Sequence, residues 1–153
     1  MRIRVAPTGC VLLAGLSGCG AQTDLNAGGG DTAAPDVTVL DSGQLRAQST
    51  YQELFLFDGF CPNSADFSQG KVPSAFLRQP ITEFGTPFIV SNLPIRQTGF
   101  GVLFRKTDCG MVAYGCTDAD LTHIKHVDIV VAAGQSSQGV CSTGQSCIQG
   151  QCQ

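Results

Sequence analysis

Cysteine is the residue type in this chain whose number and spacing offer the most chemistry. The 153-residue sequence contains eight cysteines. Six of them lie beyond residue 60, at Cys61, Cys109, Cys116, Cys141, Cys147 and Cys152. An even number permits complete pairing into disulfides, which small exported domains use for stability. Zinc is the competing interpretation, but there is no Cys-x-x-Cys pair and the spacings do not fit zinc ligand patterns. The six cysteines therefore predict disulfides.

The N-terminal segment has the layout of a secretory signal peptide. Arg2 and Arg4 precede an apolar stretch from Val5 to Leu16, and small residues follow it. The stretch is too short for a permanent membrane-spanning helix, and Pro7 and Gly9 weaken it further. We therefore expect export to a compartment in which disulfides form.

The end of this segment, Leu16-Ser17-Gly18-Cys19, resembles the lipobox of bacterial lipoproteins. The resemblance implies that residues 1–18 are removed and that Cys19 becomes the acylated first residue, carrying fatty acids such as palmitate. Gly20 and Ala21 stand where an aspartate marks inner-membrane retention in Gram-negative lipoproteins, which implies the outer membrane. Three acyl chains would make the membrane association permanent. The alternative is an ordinary signal peptide cleaved nearer Ala21, with Cys19 incidental.

Residues 19–35 are rich in glycine and small polar side chains. Such a composition cannot form a core and predicts a flexible tether. A surface loop of the following domain is the alternative, although packing residues are missing. The tether would hold the folded domain away from the membrane.

The charge of the chain excludes one class of partner. Residues 1–18 contain two arginines and no acid, so their removal changes the formal net charge from -3 to -5. A mildly acidic protein lacks the positive surface that nucleic-acid binding requires. It also has no polybasic segment for anionic lipid. We expect no nucleic-acid partner.

The histidines do not predict a metal site. If the chain is extended here, His123 and His126 point to opposite faces, and only His126 and Asp128 share one. Asp118-Ala-Asp120 begins like a calcium loop, but Thr122 and His123 stand where an EF-hand requires Asp or Asn and Gly. We interpret these residues as solvated strand and turn positions and predict no cofactor. A calcium loop of another kind is the open alternative.

The sequence contains no recognisable catalytic motif. No Gly-x-Ser-x-Gly elbow exists, and the segment around Ser136 is not one. Oxidised cysteines cannot supply a thiolate nucleophile. Glu53 and Asp58 can form a carboxylate pair only if the fold brings them to glycosidase spacing. We therefore predict a non-enzymatic protein, with a small secreted hydrolase as the least favoured alternative.

Residues 36–134 show short β-strand patterns separated by turns. The predicted strands cover residues 37–40, 51–57, 88–90, 100–106, 111–114 and 124–133, the last being the longest. In the fourth, Phe100, Val102 and Phe104 occupy one face and Gly101, Leu103 and Arg105 the other. The fourth and fifth form a hairpin around Asp108-Cys109-Gly110. Residues 66–87 contain three prolines and predict irregular loop, with one strand near residues 74–77.

These elements predict an all-β fold, a small antiparallel β-sandwich of immunoglobulin or transthyretin type. Asn92-Leu93-Pro94, Gly99–Leu103 and Asp108–Val112 resemble, in that order, segments of transthyretin-like surface modules. The resemblance implies a fold and no activity.

Four phenylalanines near the Asp58-Gly59 turn form either core or an exposed ligand-contacting patch: Phe55, Phe57, Phe60 and Phe67.

Residues 135–153 form a cysteine-rich tail with almost no apolar side chains. Such a segment holds a shape only through disulfides. The tail and the sandwich each contain three of the six cysteines, so complete pairing requires a bridge between them. Cys109 at the hairpin tip and Cys116 beyond the second strand are too far apart to pair. We expect Cys61 to pair with one of these two and the other to pair with the tail, the alternative being a free or intermolecular thiol.

The sequence as a whole predicts a lipid-anchored cell-surface protein without enzymatic activity. It would present a β-sandwich to a protein or glycan partner. The alternative is a structural envelope component that is cross-linked through its cysteine-rich tail.

Overall fold

The computed structural model describes residues 31–135 and 139–153 and shows an all-β protein, as predicted. The predicted signal peptide, the lipidation site Cys19, most of the tether and Ser136 lie outside these residues. In chain order the strands are β1 Thr32–Ala33, β2 Asp36–Leu40, β3 Tyr51–Asp58, β4 Leu77–Pro80, β5 Phe88–Ile89, β6 Leu93–Pro94, β7 Gln97–Arg105, β8 Met111–Asp120, β9 His126–Val130, β10 Ala132–Ala133, β11 Cys147–Ile148 and β12 Gln151–Cys152. A 3₁₀ helix covers Leu45–Gln48 and a single-turn helix, α1, covers Ser64–Phe67.

The larger sheet has five antiparallel strands in the order β10-β8-β7-β3-β4. Its centre is the predicted hairpin of β7 and β8, with β3 paired along the whole of β7 from Tyr51↔Arg105 to Asp58↔Thr98. The alternating pattern of β7 is confirmed, because Phe100, Val102 and Phe104 lie on the inner side of this sheet.

The smaller sheet has three strands in the order β5-β2-β9. Its β2–β9 pair is parallel, from Asp36↔His126 to Leu40↔Val130, so the sandwich contains one parallel pair among otherwise antiparallel ones. The reason lies in the turn after β8, which delivers β9 to the end of the sandwich where β2 begins; Asp36 N donates to the carbonyl of Lys125 at 2.9 Å.

The main core fills the space between the two sheets. The larger sheet contributes Leu54, Leu56, Phe100, Val102 and Phe104, and the smaller sheet contributes Val37, Val39, Val127 and Ile129, each at most 3% exposed. Burying side chains of this size stabilises the fold by about 1.5–3 kcal/mol each. Both inner faces follow the period of two that defines a β-strand.

A second, smaller apolar cluster covers the outer face of the larger sheet. Residues 59–67 cross this face, and Phe67 of α1 packs against Phe55 and Phe57 with its ring almost perpendicular to theirs. The crossing requires glycine in the strand beneath: a Cβ at Gly101 would lie 2.8 Å from the rings of Phe57 and Phe67. The central strands β3 and β7 are therefore buried on both faces of the sheet.

The strand register defines two ends of the sandwich. We call one the entry pole, where β1 and β2 begin, β3 ends and the 121–125 turn lies. We call the other the tail pole, where β3 begins, β7 turns into β8 and the tail attaches through a hydrogen bond from Cys141 N to the carbonyl of Asp108.

The structure corrects several predicted boundaries. The second hairpin strand runs on to Asp120, so Cys116 lies within β8 and not beyond it. The single strand predicted for residues 124–133 is two strands in different sheets, β9 and β10, and β8 is the longest strand instead. The apolar pattern of this segment predicts one strand because it continues without a break. The chain nevertheless passes from one sheet to the other at Val131.

The predicted tether also ends earlier than residue 35. Thr32 and Ala33 form β1 and pair with Pro94 and Leu93 of β6. An edge pairing needs backbone hydrogen bonds and no apolar side chains, so composition did not reveal it. The strand predicted near residues 74–77 lies at Leu77–Pro80, on the sheet edge where proline is tolerated.

Candidate functional site

Three disulfides join all six cysteines of the described chain: Cys61–Cys116, Cys109–Cys147 and Cys141–Cys152. The predicted arrangement is confirmed, with Cys61 bound to one hairpin cysteine and the other bound to the tail. Cys61–Cys116 fastens the outer crossing segment to β8. Cys109–Cys147 joins the tail to the tail pole, and Cys141–Cys152 closes a loop within the tail.

A partly buried ion pair lies beneath the tail. Glu53 and Arg78 share the outer face of the larger sheet because Arg78 is paired with Phe55, two residues along β3 from Glu53. The guanidinium binds the Glu53 carboxylate from Nε at 2.8 Å and from Nη2 at 2.6 Å. Only 9% of the Glu53 side chain is exposed, whereas 30% of the Arg78 side chain is, so the carboxylate is shielded from solvent and the guanidinium only partly.

The tip of the tail rests directly on this pair. Strands β11 and β12 form a hairpin whose two turn residues, Gln149 and Gly150, both have positive φ. Arg78 Nη2 donates to the carbonyl of Gln149, and a side chain at Gly150 would collide with the Glu53 carboxylate. Tyr51 adds a hydrogen bond from its hydroxyl to the carbonyl of Cys147 at 3.2 Å.

Arg105 supplies a second guanidinium in the same region, and this one is buried. It is 6% exposed and donates to the carbonyls of Cys109 and Gly70, each at 3.3 Å. Burial lowers the pKa of Arg105, the charge of Glu53 opposes that change and the charge of Arg78 adds to it. Glu53 Oε2 and Arg105 Nε have no hydrogen-bond partner within the described chain. These charges connect β3, β4, β7, the loop at Gly70 and the tail.

Two clefts flank the hairpin tip, with Arg78 in the wall of both. One has a volume of about 440 Å³, and its lining includes Tyr51, Gln52, Gln79 and Gln149. The other, of about 340 Å³, lies between the tail and the loop that follows α1. Amide, phenol and guanidinium groups offer hydrogen bonds to a polar ligand.

The predicted aromatic patch divides between core and surface. Phe55, Phe57 and Phe67 are buried in the outer cluster, whereas Phe60 is 68% exposed at the entry pole. Phe76 is 44% exposed at the same pole, and the guanidinium of Arg96 lies 5.4 Å from its ring centre. The exposed aromatic surface is thus smaller than four phenylalanines would provide.

The two candidate carboxylates do not form a pair. Five strand residues separate Glu53 from Asp58, a distance of roughly 17 Å, beyond glycosidase spacing. Each has its own arginine, and Asp58 pairs with Arg96 at 3.1 Å in an exposed bridge.

The histidines and aspartates of β8 and β9 make local contacts. His126 Nε2 lies 2.9 Å from Asp128 Oδ1 on the outer face of β9, as the shared face predicted. His123 lies in the turn after β8, so strand alternation does not apply to it. Asp118 accepts a hydrogen bond from Cys61 N at 2.6 Å. The hydroxyl and N–H of Thr122 both donate to Asp120 and lower the pKa of that carboxyl.

Within residues 31–135 and 139–153, one group of side chains has the spacing of metal ligands. It consists of Cys109, Cys141 and Cys147, whose sulfurs lie within 4.8 Å of one another and are already bound in disulfides. No helix in the part of the chain that the structure describes is long and apolar enough to cross a membrane.

Sequence reasoning missed the Glu53–Arg78–Arg105 cluster. A signal was present in Arg105, which ends an otherwise apolar strand on the face that also carries Leu103. A charge in such a position requires a partner when it is buried.

Comparison with known proteins finds no matching family model, no similar curated protein and no similar solved structure.

Proposed function

We propose that this protein is a lipid-anchored, non-enzymatic component of the cell envelope that binds a partner through its tail pole. The observation that carries the proposal is the complete pairing of the six cysteines into three disulfides. Disulfides persist in oxidising compartments outside the cytoplasm. They therefore support the export that the N-terminal segment and Cys19 predict.

The position of the two poles supports the assignment of the binding surface. The described chain begins at the entry pole, where Thr32 pairs with Pro94. A lipid at Cys19 would connect to this pole through residues 20–30, a span of at most about 40 Å. The tail pole, at the other end of the sandwich, would then face away from the membrane.

The chemistry of the tail pole favours a polar partner, either a protein or a glycan. Its larger cleft presents Gln52, Gln79, Gln149 and the phenol of Tyr51 around the Glu53–Arg78 pair. These groups donate and accept hydrogen bonds, and the disulfide-bound tail keeps the cleft walls in place. Rigid walls lose little conformational entropy when a partner binds, which favours a higher affinity.

Membrane attachment is tested by replacing Cys19. Cys19→Ala should move the protein from the membrane to the soluble fraction, whereas Cys10→Ala should leave it in the membrane, because Cys10 is removed with the signal peptide. The intact mass of the membrane-extracted protein should correspond to a tri-acylated chain that begins at Cys19 and carries three disulfides. An unmodified N-terminus in the soluble fraction would refute the anchor.

The binding surface is tested by photo-crosslinking on intact cells. A photoreactive residue at Gln79 in the tail pole should yield a discrete adduct, and the same residue at Phe60 in the entry pole should yield none. Protease or glycosidase sensitivity of the adduct identifies the partner's class. Adducts formed from position 60 alone would contradict the assignment.

A structural role is the second candidate, with cross-linking through the tail. It is favoured by the exposure of Cys152 in β12. Disulfide-linked multimers on non-reducing gels would support this role, and strictly monomeric bands would count against it. A small secreted hydrolase ranks last, because Glu53 and Asp58 are held apart by β3.

A further inference from the structure

Four cysteines of the tail pole lie close enough to exchange partners. The sulfurs of Cys109, Cys141 and Cys147 are all within 4.8 Å of one another, although they belong to two different disulfides. Cys147 and Cys152 are also directly paired residues of β11 and β12. These neighbours provide a second pairing besides the observed one, Cys109–Cys141 with Cys147–Cys152.

The four cysteines differ in burial, and one of the two disulfides joins the more buried pair while the other joins the more exposed pair. Cys109 is 1% exposed and Cys147 is 8% exposed, whereas Cys141 is half-buried and Cys152 is exposed. Cys61 and Cys116, in the remaining disulfide, are both half-buried. Thiol–disulfide exchange requires an attacking thiolate to reach a sulfur atom. Among these six cysteines, Cys152 is the most exposed residue.

We propose that Cys152 is a reversible covalent attachment site for a partner that carries a thiol. The partner's thiolate attacks Cys152 Sγ, a mixed disulfide forms there, and the Cys141–Cys152 bond breaks to release Cys141 as a thiolate. One disulfide is lost and one is gained, so the step needs neither an oxidant nor a reductant.

The released thiolate of Cys141 then continues the exchange inward. It attacks Cys109 Sγ, forms Cys109–Cys141 and releases Cys147 as a thiolate. Cys147 lies opposite Cys152 in the hairpin, so it can attack the mixed disulfide, form Cys147–Cys152 and return the partner as a free thiolate. The number of disulfides is again unchanged.

The hairpin backbone keeps Cys152 in place during these steps. Ser146 and Gln153 exchange two backbone hydrogen bonds of 2.8 and 2.9 Å beside it. The guanidinium of Arg105, bound to the carbonyl of Cys109, places a positive charge near the inner sulfurs and favours a thiolate there. The proposal goes beyond the proposed function, because it requires neither the lipid anchor nor a particular partner fold.

The test uses the purified, fully oxidised chain and reduced glutathione as the probe. Samples are quenched with acid over time, and fragmentation of the intact protein by mass spectrometry locates each adduct and each disulfide. We expect the glutathione adduct on Cys152, formed roughly tenfold faster than on Cys61 or Cys116 because of its access. A Cys109–Cys141 disulfide should follow.

Two double variants provide the controls. Cys141→Ser with Cys152→Ser should remove the early adduct, and Cys61→Ser with Cys116→Ser should leave its rate at Cys152 unchanged. Equal or faster modification of Cys61 or Cys116 in the unmodified sequence would overturn the attachment site. An adduct on Cys152 with no new pairing among the other three would overturn the inward exchange. Both outcomes are read from the unmodified protein, so they do not depend on the folding of a variant.

Discussion

The sandwich and the tail of this protein are stabilised by different means. The sandwich buries large apolar side chains on both faces of its five-stranded sheet. In residues 139–153 only Cys147 and Gly150 are buried. Two disulfides, a two-residue turn and contacts with Glu53 and Arg78 replace the missing core. A segment too polar to fold by burial can therefore keep one conformation when a neighbouring domain supplies its anchoring groups.

The largest effect should come from the sandwich core. Phe100→Ala removes a fully buried ring from between the sheets and should lower the free energy of unfolding by about 3–5 kcal/mol. Urea unfolding measures the change. Phe60→Ala, at an exposed position, should change it by less than about 0.5 kcal/mol. Equal losses in the two variants would mean that burial does not distinguish these positions.

Removal of the Cys109–Cys147 disulfide should unfold the tail and leave the sandwich folded. Replacing Cys109 and Cys147 together by alanine should cost about 2–4 kcal/mol, and the loss should be confined to the tail. Hydrogen exchange should show unprotected amides in β11 and β12 while β3, β7 and β8 stay protected. The matched variant, alanine at Cys61 and Cys116, should leave the tail protected. Loss of protection throughout the sandwich in the first variant would show that the tail is part of its cooperative unit.

The ion pair beneath the tail should contribute more than its exposed counterpart. Glu53→Gln should destabilise the protein by about 1–3 kcal/mol, because it removes the buried countercharge of the partly exposed Arg78 guanidinium. Asp58→Asn breaks the exposed bridge to Arg96 on the same strand and should cost at most about 0.5 kcal/mol. Thermal unfolding of both variants measures the two losses of stability. Similar losses would contradict a larger contribution from the Glu53–Arg78 pair.

Alanine variants at two glycines of the tail distinguish the cost of backbone strain from the cost of losing the contact between the hairpin tip and Glu53. Gly150 and Gly144 have φ values of +72° and +92°, so alanine at either should cost about 1 kcal/mol from backbone strain. At Gly150 the new Cβ also meets the Glu53 carboxylate, whereas at Gly144 nothing lies within 4 Å. Gly150→Ala should therefore expose the hairpin amides to faster hydrogen exchange than Gly144→Ala. Equal exchange rates would show that the tip does not rest on Glu53.

The smallest effect should appear at the entry pole, in a turn that uses no disulfide. Thr122→Ala removes the hydroxyl donor to Asp120 and should raise the pKa of this carboxyl towards its ordinary value, as NMR titration would show. Because the folded-state pKa lies below the unfolded one, the stabilisation is present above the unfolded pKa. It is lost as the pH falls through the folded pKa. An unchanged pKa in the variant would contradict the assigned cause.

Sequence patterns predicted the parts of the fold that depend on local chemistry. The alternation in Phe100–Phe104 and in Val127–Val131 identified the inner faces correctly, because a strand's side-chain period of two is a local property. The sequence patterns did not predict that residues 126–133 contribute to two sheets or that β2 and β9 are parallel. Both features depend on the position of a strand's neighbours, which its own residues do not specify.

By itself, the sequence determined an all-β fold, an even set of cysteines and, by parity, a disulfide between domain and tail. It also predicted the signal segment and the acylated Cys19, which remain predictions. Only the tertiary structure decided that Cys109 pairs with Cys147 and that Glu53, Arg78 and Arg105 meet beneath the tail. These contacts join residues 25 to 71 positions apart. Their geometry is set by strand register and chain crossing, so no local pattern could encode it.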